Sequence, residues 1–360
     1  MSTIKILHVI ARMNVGGTAR YVGYLIENIS GSGLATGYVQ GAEIEDPVIK
    51  VLPTVRIQHL GRRISLWNDF RSWMELRKIV KEIQPLIIHT HTFKAGLIGR
   101  LIWGNHKLVH TYHGHLFDDR SFNSLEKRLI TFAERLLAFK TDQLISVGDR
   151  VGIDLRAKGI GLKKTWISIP PGVKPLTRID KNTARAELNL NPDVVLIGWM
   201  ARLTSVKNPF LLLEVARLLP EVEFAMAGGG DLYEEVKAAA PDNVSVIGWS
   251  DASLFWSAVD CAISTSDNEG IPIALIEAMG TGLPIVATNV GSVADLITDG
   301  INGFLAKNEA NEIARILNSL LSDNNLMQLM ATSASQTALK NFSPDKMLTT
   351  HQNLYSRLLE

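Results

Sequence analysis

Short apolar runs alternate along this chain with longer stretches whose apolar positions recur every three or four residues. The runs predict strands at 4–10, 36–40, 55–60, 85–89, 107–111, 143–146 and 166–169, and again at 194–200, 222–227, 244–248, 259–263 and 284–287. The three-to-four spacing predicts helices at 21–29, 67–83, 125–139, 209–219, 231–240, 309–321, 326–341 and 345–359. Strands that read as nearly continuous apolar runs are buried on both faces, as in parallel sheets. Regular alternation of such strands with helices is the signature of a doubly wound α/β fold. Gly16-Gly17-Thr18, after the first strand, reads as a tight turn with Thr18 as helix cap.

The alternation is interrupted once. Pro170-Pro171-Gly172-Val173-Lys174-Pro175 is a cluster of breakers, and 181–191 is polar, which places a domain junction here. The expected division is 1–172, 173–341 and a final helical piece, 342–360, after the break at Phe342-Ser343-Pro344. Two such halves imply a cleft between them. In sheets of this kind ligands bind beyond the carboxyl ends of the strands. Gly16-Gly17, His113, Arg202, Gly228-Gly229-Gly230 and Glu269 all follow directly on expected strands.

Composition narrows the class. The chain has 360 residues, long enough for about two domains, and is 46% hydrophobic, too apolar for disorder. A net charge of +1 gives no global bias toward nucleic acid. Cys261 is the single cysteine and sits inside an apolar run, which fits a reducing compartment and argues against a reactive thiol. No uncharged apolar run reaches the ~18 residues of a membrane helix, and the N-terminal run is too short for a signal peptide.

The richest stretch runs from Asp267 to Gly280. Glu269 and Gly270 are expected on a strand-to-helix loop, Ile271-Pro272 at the helix start, and Glu277 about a turn and a half in. Proline suits a first helical turn, where its missing N–H is not needed. Free amides at a helix start favour an anion. A carboxylate on either side of such amides suits a ligand with hydroxyls at both ends and phosphates between, which is the shape of a nucleotide sugar. Arg202 and Lys207, on a loop entering a helix, offer a fork and a point charge for a diphosphate.

These motifs resemble the retaining glycosyltransferases of family 4. Glu269 and Glu277 match its Glu-x7-Glu pair, and Gly282-Leu283-Pro284-Ile285-Val286-Ala287 its Gly-x-Pro-Val-Val-Ala strand. Arg202 to Asn208 match its Gly-Arg-Leu-x-x-x-Lys-Asn element, with Ala201 where glycine is usual. Thr111-Tyr112-His113 is similar to its Thr-x-His, Gly16-Gly17 to its N-terminal loop, and Gly228-Gly229-Gly230-Asp231 to its glycine-rich turn. Pro170-Pro171-Gly172-Val173 departs from the usual Pro-Asn-Gly-Val.

The resemblance implies a GT-B fold of two Rossmann-like domains facing a cleft, with the last helix crossing back to the first domain. It implies transfer of a sugar, with retention, from a nucleotide sugar, expected to be a UDP-sugar, to a glycan or lipid-linked acceptor on the cytoplasmic side. The implied catalytic residues are His113, Arg202, Lys207 and Glu269. The implied donor-binding residues are Gly16, Gly17, Gly229, Gly270, Ile271, Pro272 and Glu277. No metal or other cofactor is expected, and no nucleic-acid partner. His89-x-His91 and His113-x-His115 raise the thought of zinc, but no carboxylate or cysteine ligand pattern accompanies them. Alternatives within the fold are a UDP-sugar 2-epimerase and a non-catalytic nucleotide-sugar-binding subunit. A dehydrogenase would want a Gly-x-Gly-x-x-Gly fingerprint, which is missing.

One stretch outside these motifs is charged and apolar at once. From Lys94 to Lys140 there are eight Lys or Arg and four Asp or Glu, together with Trp103 and the helical stripe Leu125, Leu129, Phe132 and Leu136. Either the stripe packs on the sheet beneath a solvated face, or the segment rests peripherally on an anionic membrane.

Overall fold

The computed structural model describes residues 4–40, 44–61, 64–114 and 123–360. His115 and the charged residues 118–120 lie outside the described residues. The chain forms two compact units. Unit 1 is the chain up to Gly172 together with Asp345–Glu360, and unit 2 is Val173–Pro344.

Unit 1 contains β1 (Ile6–Ile10), α1 (Gly17–Asn28), β2 (Ser32–Thr36), β3 (Thr54–Arg56), α2 (Leu66–Ile83), β4 (Ile87–His91) and α3 (Phe93–Gly99). It continues with β5 (Lys107–Tyr112), α4 (Ser124–Lys140), β6 (Gln143–Ser146), α5 (Asp149–Ala157) and β7 (Trp166–Ser168). Unit 2 holds α6 (Lys181–Glu187), β8 (Leu196–Met200), α7 (Pro209–Leu218), β9 (Glu223–Ala227), α8 (Tyr233–Ala239), β10 (Val244–Gly248) and α9 (Ala252–Ala258). Then follow β11 (Cys261–Ser264), α10 (Ile273–Gly280), β12 (Ile285–Thr288), α11 (Val293–Leu296), β13 (Phe304–Ala306), α12 (Ala310–Leu321) and α13 (Asn324–Asn341). The last helix, α14 (Pro344–Leu359), returns to unit 1.

Every strand pair is parallel. The sheet of unit 1 has the order β3-β2-β1-β4-β5-β6-β7, and that of unit 2 has β10-β9-β8-β11-β12-β13. Each order reverses once, between β1 and β4 in unit 1 and between β8 and β11 in unit 2. One face of the first sheet is covered by α1 and α14, which bring Val22, Leu25, Met347 and Leu354 onto Ile10, Val109 and Ile145. The other face is covered by the layer α2, α3 and α4. Leu76, Ile79, Ala95 and Ile98 pack there on Leu7, Val9 and Ile88, and Ala138 on Leu144. Burying one such side chain stabilises by about 1.5–3 kcal/mol, so these layers set the fold.

Several boundaries differ from the pattern reading, each for a local reason. The second strand is 32–36, not 36–40. Its small residues hide it, because a Cβ on Gly33 would strike Ile4. At Gly37 a Cβ would lie 2.0 Å from the Leu60 carbonyl oxygen, so the crossing chain ends the strand. The third strand covers only 54–56. Thr18 does not cap α1; Gly16 holds that place with φ 156°. The polar stretch 181–191 is not a linker but carries α6, capped by Asp180. Its buried Arg185 bonds Asp260 and the carbonyls of Ala258, Pro192 and Val194. Short α3, α5 and β13 escaped the periodicity altogether. In α3 a Cβ on Gly96 would press on His110 and one on Gly99 on Thr90, so that helix sits unusually close to the sheet.

Candidate active site

Arg202 and Lys207 follow β8, and Glu269 follows β11. These are the neighbouring strands at which the order of the unit 2 sheet reverses, the usual place for a ligand crevice in an open α/β sheet. The two loops are laced together. The Asp267 amide donates to the Val206 carbonyl at 2.9 Å, and the Thr265 hydroxyl to the Lys207 and Asn208 carbonyls. Asn208 adopts a left-handed φ of 46°, caps α7 through the Leu211 amide and donates to Asp267 Oδ1 at 2.9 Å. The loop beneath is set by glycines. A Cβ on Gly228 would lie 1.9 Å from the Ala201 carbonyl oxygen and one on Gly230 2.4 Å from that of Leu203. Gly229 accepts the Leu203 amide at 2.9 Å.

This lacing brings Lys207 Nζ to 2.5 Å from Glu269 Oε1, which also accepts the Ser266 hydroxyl at 2.8 Å. Glu269 is buried, whereas the Lys207 side chain is 20% exposed. The two residues, read separately from sequence as diphosphate and sugar contacts, are therefore one charge-paired unit. Pro272 flanks α10 instead of opening it, with ψ 113°, and no side chain caps the helix amides that follow. Gly270 is not among the glycines at positive φ, so its role there is not to supply a left-handed turn. Ile271 and Glu277 are buried, and Glu277 borders a groove lined also by Lys174, Leu176, Gly280 and Pro344. Gly291 was missed by sequence. A Cβ there would lie 1.8 Å from the Glu269 carbonyl oxygen, at φ 50°, so glycine fixes the height of the Glu269 loop.

The switch point of unit 1 gathers histidines. His8 on β1 lies beside His89 on β4, and Ile10 beside His91, so the three rings share the sheet face beneath α1 and α14. His91 bonds His8 on one side and His113 on the other, each at 3.1 Å. His89 is held by the Thr111 hydroxyl at 2.7 Å and the Tyr355 hydroxyl at 2.6 Å. His351 of α14 bonds Tyr21 of α1 at 3.1 Å. Burial, with His351 as the lesser cause, holds His8 and His113 down at about 3, and burial holds His351 at about 4. His89 and His91 are pushed well below 6.5, chiefly by burial and then by neighbouring rings. The cluster is thus neutral. Among the described residues His8 Nε2 has no hydrogen-bond partner. An orphaned lone pair is tolerated better than an orphaned N–H. Hence His8 and His91 each keep the proton on Nδ1 and donate it to Nε2 of the next ring, and His113 accepts on Nε2 and keeps Nδ1–H as its donor.

Ring nitrogens of His8, His89 and His91 lie within 4.8 Å of one another, a spacing a metal could use. Both nitrogens of His89 and both of His91 are already engaged, so a metal would have to break the row. The donor set fits hydrogen bonding. Next to His91, Thr92 adopts φ 67° and ψ 159°, a region normally left to glycine, and its buried hydroxyl has no partner among the described residues. Gly16 and Gly17 stand at the start of α1, which no side chain caps. Cys261 is buried, with its thiol pushed up to about 12 by burial, and is inert.

Two Rossmann-like units, each with its polar groups at the switch point of a parallel sheet, define a GT-B protein. Solved structures share the fold. Sucrose-phosphate synthase from Thermosynechococcus elongatus aligns with a TM-score of 0.83 at 19% identity, over 98% of both chains. HepE from Anabaena, in complex with UDP and glucose, aligns with a TM-score of 0.82 at 18% identity, over 98% of this chain and 100% of that one. The family described as Glycosyl transferases group 1 matches residues 180–337, and the Glycosyl transferase 4-like domain matches 16–168. The UDP-Gal:alpha-D-GlcNAc-diphosphoundecaprenol alpha-1,3-galactosyltransferase of Escherichia coli is 28% identical over 324 residues, 82% of this chain and 81% of that protein. The chain belongs to the group 1 glycosyltransferases.

Proposed function

We propose that the protein moves a sugar, with retention at the anomeric carbon, from a UDP-sugar to a hydroxyl of a lipid-linked glycan, at the cytoplasmic side of a membrane. The observation that carries this reading is the Lys207–Glu269 pair at the unit 2 switch point, with Arg202 on the same loop and uncapped α10 amides beyond. As the nucleoside diphosphate departs, negative charge grows on its outer phosphate. Fixed cations and helix amides stabilise that charge more than they stabilise the bound donor, which lowers the barrier. Glu269, steadied by Lys207 and Ser266, holds sugar hydroxyls, and Glu277 the ribose. His113, its Nδ1–H fixed by the histidine row, donates to the sugar.

A front-face path suits retention. The leaving phosphate takes the acceptor proton as the new bond forms on the side from which the diphosphate leaves, so no protein nucleophile and no resident metal is called on. The lipid-linked acceptor is supported by the Escherichia coli relative, whose name specifies a diphosphoundecaprenol substrate. UDP is supported by that name and by the UDP in the HepE structure. The test is donor turnover with UDP-, GDP- and ADP-sugars, in buffer with and without chelator, followed by NMR of the product anomer. Turnover of UDP-sugars with an α product from an α donor is expected. An inverted product, or a preference for another nucleotide, overturns the corresponding part.

A further inference from the structure

α4 is amphipathic in an unusual sense. Its inner face is ordinary: Ile130, Glu134, Leu137 and Ala138 are buried, and Glu134 pairs with Arg100 at the end of α3. Its outer face carries Leu125, Leu129, Phe132, Leu136 and Phe139, each more than half exposed, with Phe139 at 79%. The stripe therefore does not pack on the sheet. Neighbouring Trp103, just after α3, is 81% exposed, with Lys140 Nζ over its ring at 4.2 Å. Soluble surfaces scatter such residues singly; a continuous row marks an interaction face.

The charges between them identify what the face meets. Arg128, Arg135 and Lys140 are the charged residues exposed along α4, whereas its acids are half-buried Glu126, engaged in the capping box with Asn123, and buried Glu134. Other charges of the segment are engaged internally, Lys94 with Asp69 and Arg100 with Glu134. A second copy of this chain meeting the face about a two-fold would set arginine against arginine, while Glu126 and Asp142 nearby are already occupied by backbone amides. An anionic bilayer answers both features. Acyl chains take the leucines and phenylalanines, headgroup phosphates take the cations, and tryptophan sits at the boundary between them. We infer that the outer face of α4, with Trp103, docks the protein on an anionic lipid surface. The inference goes beyond the transfer reading, and its readout needs no turnover.

The experiment is vesicle flotation of the full-length protein with phosphatidylcholine alone and with phosphatidylcholine containing phosphatidylglycerol. Wild type is expected to float with the anionic vesicles and to be released as salt shortens the screening length below about 10 Å. The double variant Leu129→Glu/Phe132→Glu is expected to lose roughly 100-fold or more in partitioning, from two apolar side chains withheld from lipid. Arg128→Gln/Lys140→Gln should weaken anionic binding alone. Both variants should keep wild-type melting and wild-type turnover of donor with a soluble acceptor, because no group of the donor site is touched. Absence of flotation overturns the inference, as does flotation that the double variant leaves unchanged. A concentration-dependent dimer in light scattering, broken by Leu129→Glu/Phe132→Glu without any vesicle binding, assigns the face to a second copy and also overturns it.

Discussion

Lys207 and Glu269 hold each other at 2.5 Å, so a change at either has two effects that separate in measurement. Lys207→Ala withdraws a preorganised cation from the departing diphosphate, which should lower turnover by roughly 10²–10³. It also leaves the buried Glu269 carboxylate with Ser266 as its one side-chain partner among the described residues, and should lower stability by about 1–3 kcal/mol. Turnover at saturating donor tests the first effect and the melting temperature the second; unchanged turnover would remove Lys207 from the chemistry. Thr92 offers the opposite balance. Its φ of 67° costs ~1–3 kcal/mol in a β-branched residue, and glycine would relieve that while giving back ~0.5–1 kcal/mol in chain entropy. Thr92→Gly should therefore melt higher yet turn over more slowly, if the strained hydroxyl is held for substrate. A Thr92→Gly variant that gains stability with full activity would make the strain incidental.

Among elements, the central strands were legible because burial on both faces leaves an apolar run, as at 143–146 and 223–227. What stayed hidden was tertiary. Gly96 and Gly99 carry no signal in the pattern, yet they let α3 approach the sheet closely enough for Arg100 to reach inward. There Arg100 makes two 2.8 Å bonds to Glu134, which also accepts the Tyr112 hydroxyl at 2.6 Å. Sequence counted both charges as part of a surface field; the structure shuts them inside and makes them the tie between α3 and α4. Glu134→Ala should cost about 3–5 kcal/mol, because Arg100 would be left buried and unpaired, whereas Glu134→Ala with Arg100→Met should recover much of it. Chemical denaturation of the two variants measures the difference. In the site, Glu269, Arg202 and Lys207 could be found because their loops carry spaced motifs. Gly291 could not, since only the fold brings it against the distant loop of Glu269.

Across the whole molecule histidine is distributed unevenly: all nine lie in unit 1 and none in unit 2. Folded values near 3 for His8 and His113 and 4 for His351 lie below the 6.5 of an unfolded chain. The unfolded chain thus binds protons first as pH falls. Stability from these groups is complete above 6.5 and is lost as pH drops from there toward 4 and 3, by about 1.4 kcal/mol per pH unit for each histidine. Peptide-resolved hydrogen exchange at about pH 7.5 and about pH 5.5, on either side of the unfolded value, should show protection falling in unit 1 while unit 2 holds. Equal loss in both units would refute the assignment.

The return of α14 gives this molecule an order of completion that differs from its order of synthesis. A ribosome makes the strands of unit 1 first, yet Tyr355, which holds His89, and His351, which holds Tyr21, emerge only after the whole of unit 2. Unit 2 is contiguous and can close on its own schedule. During translation the first-made sheet must therefore wait with one face only partly covered, by α1, and with His89 and Tyr21 lacking their α14 partners until the second-made domain has been finished. A stalled or clipped chain that lacks α14 would carry a finished unit 2 and a partly exposed apolar sheet face, the surface that chaperones and proteases read as incomplete.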